Sequence, residues 1–230
     1  INVNTVYTTA LSILNKEQRG YITPEEFNKL GTQVQLEIFE NYFEDLNQQL
    51  RVPQADSEYA NRQKNIDNCI SIFKTIGTTT YNGAGGYFLP PSDLHRIGTV
   101  IYKDEKELQR VERNEFLNIN LSPLTKPTTQ FPVYLYEQVV QGTGGANTGE
   151  THIFVKPTTI VAAADITVSY IRKPADVAWG YQQLGGGTWS SGPYIYNAGA
   201  STQFELDDTE QTEVILRILA YAGVVIRDPQ

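Results

Sequence analysis

The sequence predicts an α+β chain: an antiparallel helical bundle carrying an inserted antiparallel, β-sandwich-like domain. Three observations lead there. Helical signals fill residues 1–77, and strand signals with glycine-rich loops fill 78–204. A capped apolar helix then returns within 205–230 and is expected to pack back on the first helices. Helices and strands are segregated rather than alternating, which points away from a βαβ crossover fold.

The clearest element is a helix over 23–51. Thr23 is a good N-cap, Pro24 suits the first helical position, and Glu26 completes a capping box. Phe27, Leu30, Val34, Ile38, Tyr42, Leu46 and Leu50 recur at helical spacing, widened by Phe39 and Phe43, while Glu37, Glu40, Glu44 and Asp45 take the opposite face. Such a helix is roughly 40 Å long, so its stripe needs cover from this chain or from a neighbouring copy.

Around it, residues 2–14 read as a short helix with Val6, Leu11, Ile13 and Leu14 inward. The turn from Asn15 to Glu26 resembles a calcium loop at Gly20, Ile22 and Glu26, but Arg19 stands where an oxygen ligand must be, so a plain turn and cap explain it. A third helix is expected over 58–76 with Tyr59, Ile66, Cys69, Ile70, Phe73 and Ile76 inward, ending at Gly77. Strands are expected at 87–89, 94–102, 131–137, 152–157, 166–172 and 204–206, with 107–116 open between strand and short helix. Residues 142–149 and 185–192 are glycine-rich loops. Asp207, Asp208 and Thr209 cap a helix over 209–222, whose face is Val214, Ile215, Ile218, Leu219 and Ala222, with Gly223 following as a C′ glycine.

Composition bounds the function. The 230 residues carry a net charge of −8, which disfavours a bulk electrostatic grip on nucleic acid. No run reaches the ~18 apolar residues of a membrane span, and no signal-peptide pattern opens the chain. The abrupt RDPQ end after an apolar helix suggests that the native chain continues. Cys69 is alone among apolar neighbours, so it reads as a small core residue, not a reactive thiol.

Chemistry-bearing motifs are sparse. His95 and His152 lie in separate strand-like runs without further ligands at metal spacing, and no Walker loop, nucleophile elbow or dinucleotide fingerprint is present. Asp207 and Asp208 form a carboxylate pair whose capping role suffices. Neither catalysis, nor a metal, nor a cofactor is therefore expected. Trp179, Tyr181, Trp189, Tyr194 and Tyr196 cluster near a glycine loop, as ligand-stacking aromatics or as the core and rim of a sandwich.

Several segments together resemble a known group. They are LNKEQRGYITPEEFNKL with the long Gln/Glu-rich helix, Pro91-Ser92-Asp93-Leu94, Ser122-Pro123-Leu124-Thr125-Lys126-Pro127-Thr128, Val168 to Pro174 with Trp179-Gly180-Tyr181, and Phe204-Glu205-Leu206 to Pro229. Across most of the chain they look like head-to-tail connector ring proteins of short-tailed, crAss-like bacteriophages, related in role to tail-tubular gatekeepers. The resemblance implies a non-enzymatic virion protein, assembled in the host cytoplasm into a homo-oligomeric ring of about twelve copies. Its partners would be the portal protein and neighbouring tail or ring proteins, with DNA passing through unbound and no membrane involved. On that reading Glu37, Glu40 and Glu44 form an acidic channel or portal-facing surface, and Asn147, Thr188 and Trp189 make loop contacts between subunits. The alternative is a carbohydrate-binding adhesin or tail-fibre module using Trp179, Trp189 and Tyr194.

Overall fold

The computed structural model describes residues 1–16, 21–51, 57–138, 151–183 and 194–223. The protein is mixed α+β with largely antiparallel sheets. It divides into two compact units: residues 1–72 with 174–230, and residues 73–173. Residues 174–204, expected with the β-rich domain, thus cluster with the helices, for reasons that lie in α2.

The helical unit contains α1 (Val3–Lys16), α2 (Pro24–Arg51), α3 (Ser57–Ser71) and α5 (Gln211–Tyr221). The capping box at α2 forms as the sequence predicts. The Thr23 N–H donates to Glu26 Oε2 at 2.9 Å, and the Glu26 N–H donates to Thr23 Oγ1 at 3.3 Å. α2 packs against α3 and α5, and α1 against α5. Phe27, Val34, Ile38, Phe39, Tyr42 and Phe43 are buried, as are Val214, Ile215, Ile218 and Leu219 of α5. These residues of the long helix therefore find their cover within one chain, while Leu30 and Leu46 of the same stripe are half-buried.

Part of that cover is the extended segment after Lys173. Asn28, Thr32 and Gln35 of α2 recur at helical spacing, so they share a face, and each holds main chain of this segment. Gln35 Nε2 donates to the Ala175 carbonyl at 2.7 Å, and Gln35 Oε1 accepts from the Glu205 N–H at 2.9 Å. The Val177 N–H donates to Thr32 Oγ1 at 3.0 Å, and the Trp179 N–H donates to Asn28 Oδ1 at 2.6 Å. Gly180 is needed where the strap turns: a Cβ there would lie 2.5 Å from the Ala200 backbone. The strap also carries a small antiparallel ribbon, β10 (Tyr181–Gln183) with β11 (Tyr194–Tyr196). The strand expected at 204–206 is instead irregular chain, with Phe204 and Leu206 buried.

At the far end Asp207 caps the last helix as expected, accepting from the Thr209 N–H at 3.0 Å, although a 3₁₀ turn over Asp208–Glu210 precedes α5. Gly223, at φ +82°, ends it in the left-handed region.

The β unit opens with a correction. The third helix stops at Ser71, and β1 (Lys74–Thr78) follows, so Phe73 and Ile76 are not part of its stripe. β-branched Thr75, Ile76 and Thr78, with Gly77 among them, suit a strand better than a helix. β1 pairs with β9 (Ile166–Arg172), which pairs with β4 (Leu94–Tyr102), which pairs with β5 (Lys106–Glu107). The second sheet runs β2 (Thr80–Asn82), β3 (Tyr87–Leu89), β8 (His152–Lys156), β7 (Val133–Glu137) and β6 (Gln109–Arg110), with only the β6–β7 pairing parallel. α4 (Arg113–Asn118) follows β6, so the ambiguous 107–116 stretch holds both strand and helix. One buried cluster draws Val100, Ile166, Val168 and Tyr170 from the first sheet and Phe88, Tyr134, Ile153 and Val155 from the second. On β9 Ile166, Val168 and Tyr170 are all buried, and so is Thr167, whose hydroxyl donates to Asp104 Oδ1 at 3.0 Å.

Candidate functional site

Glu37, Glu40 and Glu44 lie along one side of α2, but only two of them face solvent as carboxylates on an open surface. Glu40 and Glu44 are exposed; Glu37 is half-buried and built into the α2–α5 contact. The Tyr221 hydroxyl donates to Glu37 Oε1, Arg217 Nη1 lies 3.5 Å from Glu37 Oε2, and Gln33 Nε2 donates to Oε1 at 3.2 Å. The Tyr221 bond above all, with Gln33 and Arg217, holds the Glu37 carboxyl below its usual range despite some burial. Arg217 also receives Glu213, its Nε donating at 2.8 Å. Next to it, Glu210 is pushed up by burial and then by Glu213. Glu37 is thus a structural tie, and the open acidic surface contracts to Glu40, Glu44 and Asp45.

The aromatic group resolves into core and surface. Trp179 is buried, its ring centroid 4.4 Å from that of Tyr7 and its Nε1 donating to Asn4 Oδ1 at 3.0 Å. It is a core residue, which removes it from the ligand-stacking set. Tyr181 and Tyr194 pack edge-on at 4.9 Å, and Tyr181 is exposed. Asn147, Thr188 and Trp189, with both glycine-rich loops, lie outside the described residues.

The histidines occupy different settings. His152 is buried and stacked on Tyr87 at 4.0 Å. His95 lines a cavity of about 510 Å³ in the β unit, together with Thr78, Thr80, Ser92, Tyr136 and Thr151. This lining is hydroxyl-rich, and one bond within it, Thr151 Oγ1 to Tyr136 Oη at 2.7 Å, is already made. Among the described residues no three His, Cys, Asp or Glu side chains come together as a metal set. Burial pushes the Cys69 thiol up, which works against thiolate chemistry. No described helix is long and apolar enough to cross a membrane.

The feature that sequence reasoning missed is an arm, residues 111–132, between β6 and β7. Those two strands are hydrogen-bonded neighbours, so the chain leaves and returns at one place. Because β6 and β7 run parallel, their connection must be a crossover of about a dozen residues or more, and this one carries α4 within it. Leu117, Leu121, Leu124 and Phe131 are 58 %, 80 %, 95 % and 80 % exposed. The arm is nevertheless ordered by its own bonds. The Leu121 N–H donates to the Asn118 carbonyl at 2.9 Å, Lys126 N–H to Ser122 at 3.1 Å, and Phe131 N–H to Thr128 at 3.1 Å. Its base is fastened by Arg113 to Glu137 and by Lys156 Nζ, which donates to the Phe116 carbonyl at 3.1 Å. The available signal was Leu117, Leu121, Leu124 and Phe131 standing in a stretch that from Asn118 onward is mostly Asn, Ser, Thr and Pro, without the helical or alternating spacing that would bury them.

Compared with known proteins, the chain matches no family model and no curated sequence.

Proposed function

We propose that this chain is a structural subunit of a head-to-tail connector ring in a short-tailed phage virion, set below the portal around a DNA channel. The observation that carries the reading is the hydrogen-bonded arm with Leu121, Leu124 and Phe131 80–95 % exposed, because large apolar side chains left uncovered by the described residues suit an assembly surface. The helices are read as a bundle and the two sheets as a sandwich-like insert, supported by the single apolar cluster that the sheets share. Exposed Glu40 and Glu44, in a chain of net charge −8, supply a surface that repels phosphate and lets DNA pass without being held. The resemblance of the Ser122–Thr128 segment to connector proteins falls on this same arm.

Mass photometry of the purified chain, alone and mixed with portal protein, tests the reading. A ring-sized particle of about a dozen copies in either sample is the expected result. A strict monomer that ignores the portal would overturn it.

A further inference from the structure

We infer that Glu210 and Glu213 share a single proton in the folded chain, and that releasing it loosens the start of α5 from α2. The two residues stand three apart where the chain enters α5, so their side chains lie on one face. There they meet carboxyl to carboxyl within hydrogen-bond reach. An ionised carboxylate donates nothing, so this contact is a hydrogen bond only while one of the two carries a proton. Glu213 is the one that stays ionised, because Arg217 Nε donates to its Oε1 at 2.8 Å. Glu210, half-buried, is then the one that keeps the proton, and burial first and Glu213 second push its carboxyl above the ordinary 4.5.

Among the described residues, Asp207 adds a further negative charge at Glu210, and Arg217 is the cation that acts on it. Arg217 is already divided between Glu213 and Glu37, whose Oε2 lies 3.5 Å from its Nη1. The Ile1 amino group pairs with Asp208 at 3.5 Å. α2 brings Tyr42 to this cluster and α3 brings Cys69, and burial pushes both up, so both are neutral. The Tyr42 hydroxyl is buried without a hydrogen-bond partner, so it holds neither carboxylate. Lys64 and Asp67, further along α3, are exposed. Lys16, the charged residue of α1, ends that helix two residues after Leu14, which lines one cavity with Tyr221 at the far end of α5. Loss of the proton therefore sets a third carboxylate on Arg217, in competition with the Glu37 pair that ties α5 to α2. Glu210 contributes fully below 4.5, and its contribution is lost as pH rises through its raised value. Glu37, held low, works in the opposite sense, so the tie is tightest between the two. It lies within one chain and does not depend on the ring reading.

Carboxyl-carbon NMR on the isotope-labelled full chain, with Glu210 assigned through the backbone, tests the shared proton without any substitution. The Glu210 midpoint is expected above 4.5, and a midpoint at or below 4.5 overturns the inference. Urea midpoints and hydrogen exchange, corrected for intrinsic rate, are then compared in wild type and Glu210→Gln from about pH 4 to pH 8. The variant cannot ionise at this position, and its amide still donates to Glu213. The two chains should match at the acid end. As pH rises through the Glu210 midpoint the wild type should fall behind, with exchange rising selectively over 207–221. A raised midpoint with wild type and variant running parallel in both readouts overturns the loosening. Glu213→Gln gives a second reading: it removes the charge opposite Glu210, so the Glu210 midpoint should fall back toward 4.5, and an unchanged midpoint overturns the pairing.

Discussion

The long helix α2 and the arm between β6 and β7 dispose of their apolar surface in opposite ways. Along α2, Phe27, Val34, Ile38, Phe39, Tyr42 and Phe43 are all buried, under neighbouring helices and the strap that Asn28, Thr32 and Gln35 hold in place. The β unit closes a core between its sheets and yet leaves Leu121, Leu124 and Phe131 in solvent on a fastened arm. The difference teaches that a long amphipathic helix does not by itself call for a neighbouring copy. The large apolar side chains left in solvent on the arm, Leu117, Leu121, Leu124 and Phe131, lie on and after α4 instead.

If the buried face of α2 is covered within its own chain, cutting into that cover should cost the most. Phe27→Ala and Trp179→Ala should each lower unfolding free energy by about 3–5 kcal/mol, read from urea midpoints with unchanged slope. Weakening the strap comes next. Gln35→Ala strands the Ala175 carbonyl and the Glu205 N–H, a loss of about 1–3 kcal/mol, and hydrogen exchange should rise selectively in 174–206. Glu37→Gln should cost about 1 kcal/mol or less, since the Arg217 pair is partly exposed and screened. Because the Glu37 carboxyl is lowered in the fold from its ordinary 4.5, its contribution is full above that value and fades as pH falls through the lowered one. The gap between wild type and Glu37→Gln should therefore shrink as acidification proceeds below 4.5. Smallest of all, Leu121→Asp and Leu124→Asp should change the stability of the monomer by no more than about 0.5 kcal/mol. A larger loss would mean that the arm is packed within its own chain, and the contrast between helix and arm would fail.

Local signals survived from sequence to structure where the interaction was itself local. The Thr23–Glu26 capping box, the Asp207 cap and the Gly223 terminus each need only neighbours a few residues away. The misses share a cause of the opposite kind. β1 looked helical because Phe73 and Ile76 continue the spacing of Ile66 and Ile70, and only pairing with β9, far along the chain, makes it a strand. The strap was assigned to the β domain because Thr32 and Val177 lie 145 residues apart, and polar side chains on a helix give no sign that they will hold distant main chain. At the candidate site, the acidic side of α2 was legible, but the withdrawal of Glu37 into a contact with Arg217 and Tyr221 was not, because it depends on where α5 docks.

Hydrogen-exchange mass spectrometry on the chain alone at high dilution and mixed with portal protein tests the central claim most directly. The account predicts that peptides over 117–131 gain protection on assembly, while peptides from the centre of α2 are equally protected in both. Protection gained along α2 with none on the arm would contradict it, and would return the long helix to the place of the assembly surface.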